Sequence, residues 1–268
     1  MNDINEPIHL VNAITEQQGF ETAVYCTYGV DLAFFEEAIL HPLRVNGCRR
    51  HIIFVDAARY ADTLRDLRDS ANWIGRRYLL IPMHMPPYQS FHSKMVLLLG
   101  PERGRLLLGS GNLTFTGFGH NCELYTCLDW HSDQRETLPI FQAAWQFIQE
   151  IQKKYGHSLA VDKILKKTGY IAYWLSQENF ENDHRTLQFL HTQNAELLGQ
   201  LSSIIGSEAV NRLTIITPFL DKKLLALEAL NQQFAPKTIR LILQDKEAVG
   251  DADLLGKLQQ QGIPLQIY

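Results

Sequence analysis

The sequence predicts an α/β fold, because short apolar strands alternate along the chain with amphipathic helices. A strand-helix-strand pattern near the N-terminus recurs after residue 206, and an apolar β-hairpin lies between the two copies. With 268 residues, of which 46% are hydrophobic, the chain can form one large domain or two small ones with a real core. We therefore expect a mixed β-sheet covered by helices.

The elements of the first half follow from runs of apolar residues and their spacing. Strands are predicted over residues 22–28, 51–55, 78–82 and 124–128, and helices over 32–40 and 59–71. Apolar residues at helical spacing predict two longer helices over 138–155 and 187–205, the second with Gly206 as its C-cap. Residues 156–185 are mixed in character and are expected to hold a connecting helix and a loop.

The second half of the chain begins as the first one does. Residues 213–221 resemble residues 23–31 at an offset of 190 positions, and 237–243 echo 49–54 in the same order. The order, the offset and the shared Thr and Asp favour a true repeat. We predict a first repeat over residues 1–185, a connecting amphipathic helix over 186–205, and the start of a second, truncated repeat over 206–268.

Four polar residues on the predicted hairpin carry the chemistry. His92 and Lys94 precede its first strand, and Ser110 and Asn112 follow its second. An imidazole changes its charge near neutral pH, so it can attack phosphorus or transfer a proton. The lysine supplies a positive charge, and the hydroxyl and amide supply hydrogen-bond donors, for the oxygens of a phosphodiester.

The register of the hairpin decides whether these four side chains meet. The apolar runs at 95–99 and 105–109 are separated by Gly-Pro-Glu-Arg-Gly, a typical turn sequence. With Leu99 opposite Arg105, Lys94 would face Ser110, and the histidine would face Asn112, all on one side of the sheet. A register change of one residue would separate them.

The motifs resemble one half of the active site of the phospholipase D superfamily, whose signature is called HKD. The resemblance is carried by His-x-Lys at 92–94, Gly-Ser-x-Asn at 109–112 and Asn-Cys-Glu at 121–123. The superfamily usually has an Asp five residues after the Lys, where this chain has Leu99. Because of that departure and the run HSKMVLLL, the chain is more similar to the tyrosyl-DNA phosphodiesterase branch and to related nucleases.

This resemblance implies a phospholipase D-like α/β/α sandwich with a mixed sheet, and roles for individual residues. His92 would be the nucleophile or the acid–base group, and Lys94 and Asn112 would bind phosphate. Glu123 would orient a catalytic imidazole, and Ser110 would support the site. The mechanism of the superfamily uses two such halves and a phosphohistidine intermediate, without a metal or another cofactor. The second histidine would come from chain beyond Tyr268 or from a second copy in a homodimer.

Three functions are compatible with these residues. The first is a metal-independent phosphodiesterase or nuclease acting on nucleic acid, with DNA favoured over RNA. The second is a phospholipid-directed hydrolase or transferase, and the third is a catalytically incomplete module that binds DNA or a partner. A net charge of −4 provides no overall attraction to nucleic acid, so such binding requires local basic groups.

The remaining sequence features concern the cellular compartment. The four cysteines form no CxxC pair, which is typical of reduced thiols in a cytoplasmic protein. The first twenty residues have no signal-peptide pattern. Since no apolar run reaches about 18 residues, we expect no membrane span.

Overall fold

The computed structural model describes residues 9–65, 73–133, 135–178, 187–193, 195–218, 220–243, 255–256, 259–260 and 265–267. The chain divides into two compact units, Met1–Phe189 and Leu190–Tyr268. Each unit is described by itself.

The first unit contains a mixed sheet of six strands. The strands are β1 Thr22–Thr27, β2 Arg50–Asp56, β3 Leu79–Met83, β4 Met95–Leu99, β5 Arg103–Gly109 and β6 Tyr125–His131. Their order across the sheet is β3-β2-β1-β4-β5-β6. The strands β1, β2 and β3 are parallel, and the pairs β1–β4, β4–β5 and β5–β6 are antiparallel. The predicted mixed α/β fold is therefore confirmed.

Helices connect and cover these strands. They are α1 Leu10–Thr15, α2 Leu32–Phe34, α3 His41–Val45, α4 Ala57–Arg65, α5 Phe115–Gly119, α6 Leu138–Ile151 and α7 Leu159–Ile171. A π-helical segment joins α2 to α3, and another extends α6 to Gly156, so the helix predicted over 138–155 is confirmed. Short 3₁₀ helices lie at Arg135–Thr137 and Tyr173–Ser176. Residues 66–71 of the helix predicted over 59–71 lie outside the described residues.

Two hydrophobic layers form because successive side chains of a strand point to opposite faces of the sheet. Val24 and Phe54 face a core that includes Phe141 of α6. Their neighbours in sequence, Tyr25 and Ile53, face a second core built with α1, α3 and the π-helical segment between α2 and α3. Helices thus cover both faces, which is the expected α/β/α sandwich.

A tryptophan fixes the helical layer on the hairpin turn. Trp174 stacks on Trp130 with ring centroids 3.8 Å apart, and its Nε1 donates a hydrogen bond to the Gly100 carbonyl at 2.9 Å. Beneath it, a Cβ atom at Gly104 would lie 2.7 Å from both Trp174 and Phe141. Glycine is therefore required at this point of β5 for the two aromatic rings to pack.

The hairpin forms as predicted, but the predicted register is wrong by one residue. Leu99 pairs with Gly104 instead of Arg105, because the turn is shorter than expected and β5 begins at Arg103. The Gly100 amide donates to the Arg103 carbonyl at 2.9 Å and closes this turn. As a result Gly109, and not Ser110, lies opposite Lys94: its amide donates to the Lys94 carbonyl at 3.2 Å.

The second unit contains a smaller parallel sheet. Its strands are β7 Arg212–Thr217, β8 Thr238–Leu243 and β9 Leu265–Ile267, in the order β7-β8-β9, and its helices include α8 Leu197–Ile205 and α9 Leu225–Phe234. Leu213 pairs with Ile239 in parallel, as Ala23 pairs with His51 in the first unit. The order of strand, helix and parallel strand is that of the proposed repeat, whose boundaries at 185 and 205 stay a prediction.

The helix predicted over 187–205 is shorter than expected. Residues 187–193 and 195–196 are not helical, and α8 begins at Leu197. The Gln200 side chain donates to the His191 and Ala195 carbonyls at 2.9 and 2.8 Å, which holds the preceding chain in a non-helical course. The helix ends at Gly206, as predicted, and this residue has a positive φ of 60°.

The packing of the helical layer predicts a large effect of one core substitution. Phe141→Ala should reduce the free energy of unfolding by about 3–5 kcal/mol, because Phe141 is fully buried and contacts Trp174. Urea unfolding followed by tryptophan fluorescence measures this, since all four tryptophans belong to the first unit. Tyr170→Ala is the control: Tyr170 is 73% exposed, and the change should stay below about 0.5 kcal/mol.

Candidate active site

The site lies where the parallel strands end and β4 begins. The buried carboxylate of Asp56, the last residue of β2, accepts hydrogen bonds from the Phe91 amide at 2.9 Å and from the Ala58 amide at 3.0 Å. The first bond fixes the segment that carries His92, and the second stabilises the start of α4. The carboxyl ends of strands are the usual place for a site in an α/β sheet.

His92 and Lys94 contact each other directly. The Lys94 Nζ atom lies 3.0 Å from His92 Nδ1 and also donates to the His92 carbonyl at 3.0 Å. Burial, followed by the charge of Lys94, lowers the pKa of His92, while the nearby carboxylate of Asp56 raises it. The imidazole is therefore predominantly neutral at neutral pH and retains a lone pair for attack.

The pKa of Lys94 is also shifted by its surroundings. Burial lowers the pKa of Lys94 to about 8, and the carboxylate of Glu123 opposes this decrease. Near pH 7 the amine therefore remains protonated, although only by a small margin. A cation beside a neutral imidazole is the arrangement that attack on a phosphodiester anion requires.

Glu123 organises a second polar cluster beside the lysine. Its carboxylate accepts hydrogen bonds from Ser110 Oγ at 2.5 Å and from Asn121 Nδ2 at 3.3 Å. Ser110 Oγ in turn accepts a hydrogen bond from the Leu124 amide at 3.0 Å. Within the described part of the chain Glu123 makes no hydrogen bond to His92. Its charge instead raises the pKa of Lys94.

The Asn112 side chain is hydrogen-bonded neither to the His92–Lys94 pair nor to the Ser110–Glu123 pair in the described structure. Its Oδ1 atom is buried and has no hydrogen-bond partner among the described residues. The backbone of Gly117 packs closely against it, since a Cβ atom at Gly117 would lie 2.3 Å from the Asn112 carbonyl oxygen. The structure thus joins His92 to Lys94, and Ser110 to Glu123, whereas no hydrogen bond links the Asn112 side chain to either pair.

Three residues near the histidine were missed by the sequence analysis. The Tyr28 ring lies 4.8 Å from the His92 ring, between centroids, and the Arg59 guanidinium lies 5.1 Å from the centre of the same tyrosine ring. Asp56 is the third. The rule that sites form at the carboxyl ends of parallel strands could have identified Tyr28 and Asp56, because they stand at the ends of β1 and β2.

The comparisons with known proteins agree on one family. Residues 2–153, more than half of the chain, match the sequence model described as "Tyrosyl-DNA phosphodiesterase". The chain belongs to the tyrosyl-DNA phosphodiesterase family. No curated protein matches the sequence. This family is the branch of the phospholipase D superfamily that the motifs resemble.

Solved structures of this family have the same fold. The yeast tyrosyl-DNA phosphodiesterase matches with a TM-score of 0.55 and 13% identity, over 96% of this chain and 60% of that chain. Its H432R mutant matches with a TM-score of 0.55 and 13% identity, over 87% of this chain and 59% of that one. The chain thus spans about 60% of the length of these relatives in the tyrosyl-DNA phosphodiesterase family.

Two further observations concern metal binding and membrane insertion. Within the described ranges, no group of three or more His, Cys, Asp and Glu side chains is arranged to hold a metal ion. None of the helices in the described residues is long and apolar enough to cross a membrane.

The environment of Lys94 predicts a titration near neutral pH. Acetylation of Lys94, followed by mass spectrometry across pH, should have a midpoint of about 8. Glu123→Gln should move this midpoint lower, because it removes the carboxylate that favours the protonated amine. Glu102→Gln, exposed at the hairpin turn, is the control and should not move it. An unchanged midpoint in Glu123→Gln would contradict the coupling.

The position of Asp56 predicts a change at His92. Asp56→Asn should lower the pKa of His92 further, because the carboxylate that favours the imidazolium is lost. An NMR titration of the His92 ring proton measures this. Asp31→Asn is a matched control: Asp31 also accepts a hydrogen bond from the first turn of a helix, at 3.0 Å from the Phe34 amide, but it is not among the charges that shift His92. Equal effects of both variants would exclude a specific role of Asp56.

Proposed function

We propose that the chain is part of a metal-independent phosphodiesterase that acts on nucleic acid, with DNA favoured over RNA, through a phosphohistidine intermediate. The observation that carries this proposal is the contact between His92 and Lys94 at the carboxyl ends of the parallel strands. It places a predominantly neutral imidazole beside a protonated amine. Membership of the tyrosyl-DNA phosphodiesterase family supports the reaction class and the nucleic-acid substrate.

The first chemical step is attack by a ring nitrogen of His92 on phosphorus. A nitrogen–phosphorus bond forms as the bond from phosphorus to the leaving oxygen breaks, and that oxygen takes a proton from a second imidazole. Water then attacks the phosphohistidine and gives a proton back to the second imidazole. The nitrogen–phosphorus bond breaks, and His92 returns to its neutral form.

The neighbouring side chains stabilise the negative charge of the reacting group. Lys94 provides a positive charge, and the amide of Asn112 provides a hydrogen-bond donor for the non-bridging oxygens. Ser110 and Glu123 form a hydrogen-bonded pair beside the lysine. We assign them a supporting role, in which the carboxylate keeps Lys94 protonated.

The second imidazole belongs to another half-site. We propose that it comes from chain that continues the second unit beyond Tyr268 or from a second copy of this chain. The coverage of about 60% of the yeast relatives is compatible with either source. Sedimentation of the active protein distinguishes the two, because only the second source requires a dimer. The four free cysteines support a reducing, cytoplasmic environment.

An assay in EDTA tests this function. The protein is incubated with single- and double-stranded DNA, RNA and a choline phospholipid, with the wild-type sequence and with His92→Ala. DNA cleavage should persist in EDTA and should fall at least a thousandfold in His92→Ala, because the nucleophile is lost. His84→Ala, which removes an exposed histidine close in sequence, is the control and should retain activity.

The other outcomes identify the competing functions. A requirement for added Mg²⁺ would contradict the mechanism, and turnover of the lipid alone would indicate a phospholipase. DNA binding without cleavage, in the protein with its second half-site, would indicate a non-catalytic module. Acid-labile phosphate on His92, found by mass spectrometry after alkaline quenching, would directly identify the intermediate.

A further inference from the structure

A tyrosine and an arginine extend the candidate site beyond the histidine. The Tyr28 ring lies against the His92 ring, with the two planes tilted by 48°, and it also lies 5.9 Å from Lys94 Nζ. The Arg59 guanidinium lies over the Tyr28 ring, 5.1 Å from its centre. The Tyr28 ring thus lies close to two cationic side chains, Lys94 and Arg59, as well as to His92.

The distances limit how far the second cation is from the reacting group. The ring contacts together place the Arg59 guanidinium no more than about 10 Å from the His92 ring centre. The separation of neighbouring phosphates along one nucleic acid strand falls within this limit. The distance between His92 and Arg59 therefore allows one phosphate to bind at His92 and Lys94 while the adjacent phosphate binds at Arg59.

The ion pair of Arg59 leaves it able to bind another anion. Arg59 contacts Asp62 at 3.1 Å, and Asp62 is shared with Arg65 at 2.9 Å, so two arginines face one carboxylate. The Arg59 and Asp62 side chains are 49% and 41% exposed. An exposed ion pair of this kind is a weak restraint, and a phosphate can take its place. The group of three side chains keeps a net positive charge.

We propose that Tyr28 and Arg59 form a second phosphate-binding subsite, which holds a phosphate adjacent to the scissile one in a nucleic acid strand. This inference rests on the proposed function and specifies its substrate. The scissile diester of a choline phospholipid carries no neighbouring phosphate along its chain, whereas a nucleic acid carries one at every step. A second cation at a fixed spacing therefore selects the polymer.

The tyrosine sets the geometry of this subsite. Its ring contacts both His92 and Arg59, so it limits where the guanidinium can lie relative to the histidine. Guanidinium groups bind phosphate with planar, paired hydrogen bonds, and stacking on an aromatic ring orients that plane. Arg59 is therefore the ligand for the flanking phosphate, and Tyr28 is its positioning residue.

A charge-deletion experiment tests the subsite. Short single-stranded DNA probes carry a neutral methylphosphonate in place of one phosphate, at each position that flanks the scissile diester in turn. Their affinities are measured by fluorescence anisotropy in EDTA, with every protein carrying His92→Asn to prevent turnover. With Arg59 present, neutralising one particular flanking phosphate should weaken binding about tenfold.

Arg59→Gln should abolish that discrimination and reduce the salt dependence of binding by about one charge. Arg65→Gln is the matched control, because Arg65 lies on the same helix and pairs with the same Asp62 but makes no contact with Tyr28 in the described structure. It should retain the tenfold discrimination. Tyr28→Leu should reduce the discrimination as well, and Tyr28→Phe should reduce it less, because it keeps the ring and removes only the hydroxyl that hydrogen-bonds to Arg59.

The outcomes separate this inference from the proposed function. Equal discrimination in the Arg59→Gln and Arg65→Gln proteins would overturn the subsite, as would a failure to bind any probe. If DNA is cleaved in EDTA but Arg59→Gln keeps the discrimination, the proposed function stands and the subsite fails. If the discrimination depends on Arg59 but DNA is not cleaved, the subsite stands and the proposed function fails.

Discussion

The candidate site depends on the buried carboxylate of Asp56. Its two oxygens accept hydrogen bonds from the backbone amides of Phe91 and Ala58, so one side chain joins the end of β2, the start of α4 and the segment before β4. Since His92 follows Phe91 directly, this hydrogen bond fixes the backbone next to it. The imidazole itself contacts Lys94 and Tyr28.

The charges of the site follow from this placement. Partial burial lowers the pKa of both His92 and Lys94, and the positive charge of Lys94 lowers the pKa of His92 further. The carboxylate of Asp56 opposes the decrease in the pKa of His92, and the carboxylate of Glu123 opposes that of Lys94. The result near pH 7 is a predominantly neutral imidazole beside a protonated amine.

The strands were predictable because their apolar runs are nearly unbroken, and β1 to β4 lie within about two residues of their predicted bounds. The hairpin register was not, because Arg103 and Gly104 look like turn residues in the sequence. Gly104 belongs to a strand because Phe141 and Trp174 require a residue without a side chain there, and these partners are distant in sequence. The contact of His92 with Lys94 is local and visible in the motif. Asp56, Tyr28 and Arg59 reach the site only through the order of the strands.

The contact between Trp174 and the Gly100 carbonyl has a consequence for the synthesis of the protein. The hairpin turn and the tryptophan that covers it are 74 positions apart in the chain. A ribosome releases the hairpin long before the covering helices, so its apolar face stays open to water, or to a chaperone, during that interval. Completion of the first unit therefore waits for the segment around residue 174. A ribosome that stalls earlier would release a chain that has the His-x-Lys motif but lacks the tryptophan that covers the hairpin turn.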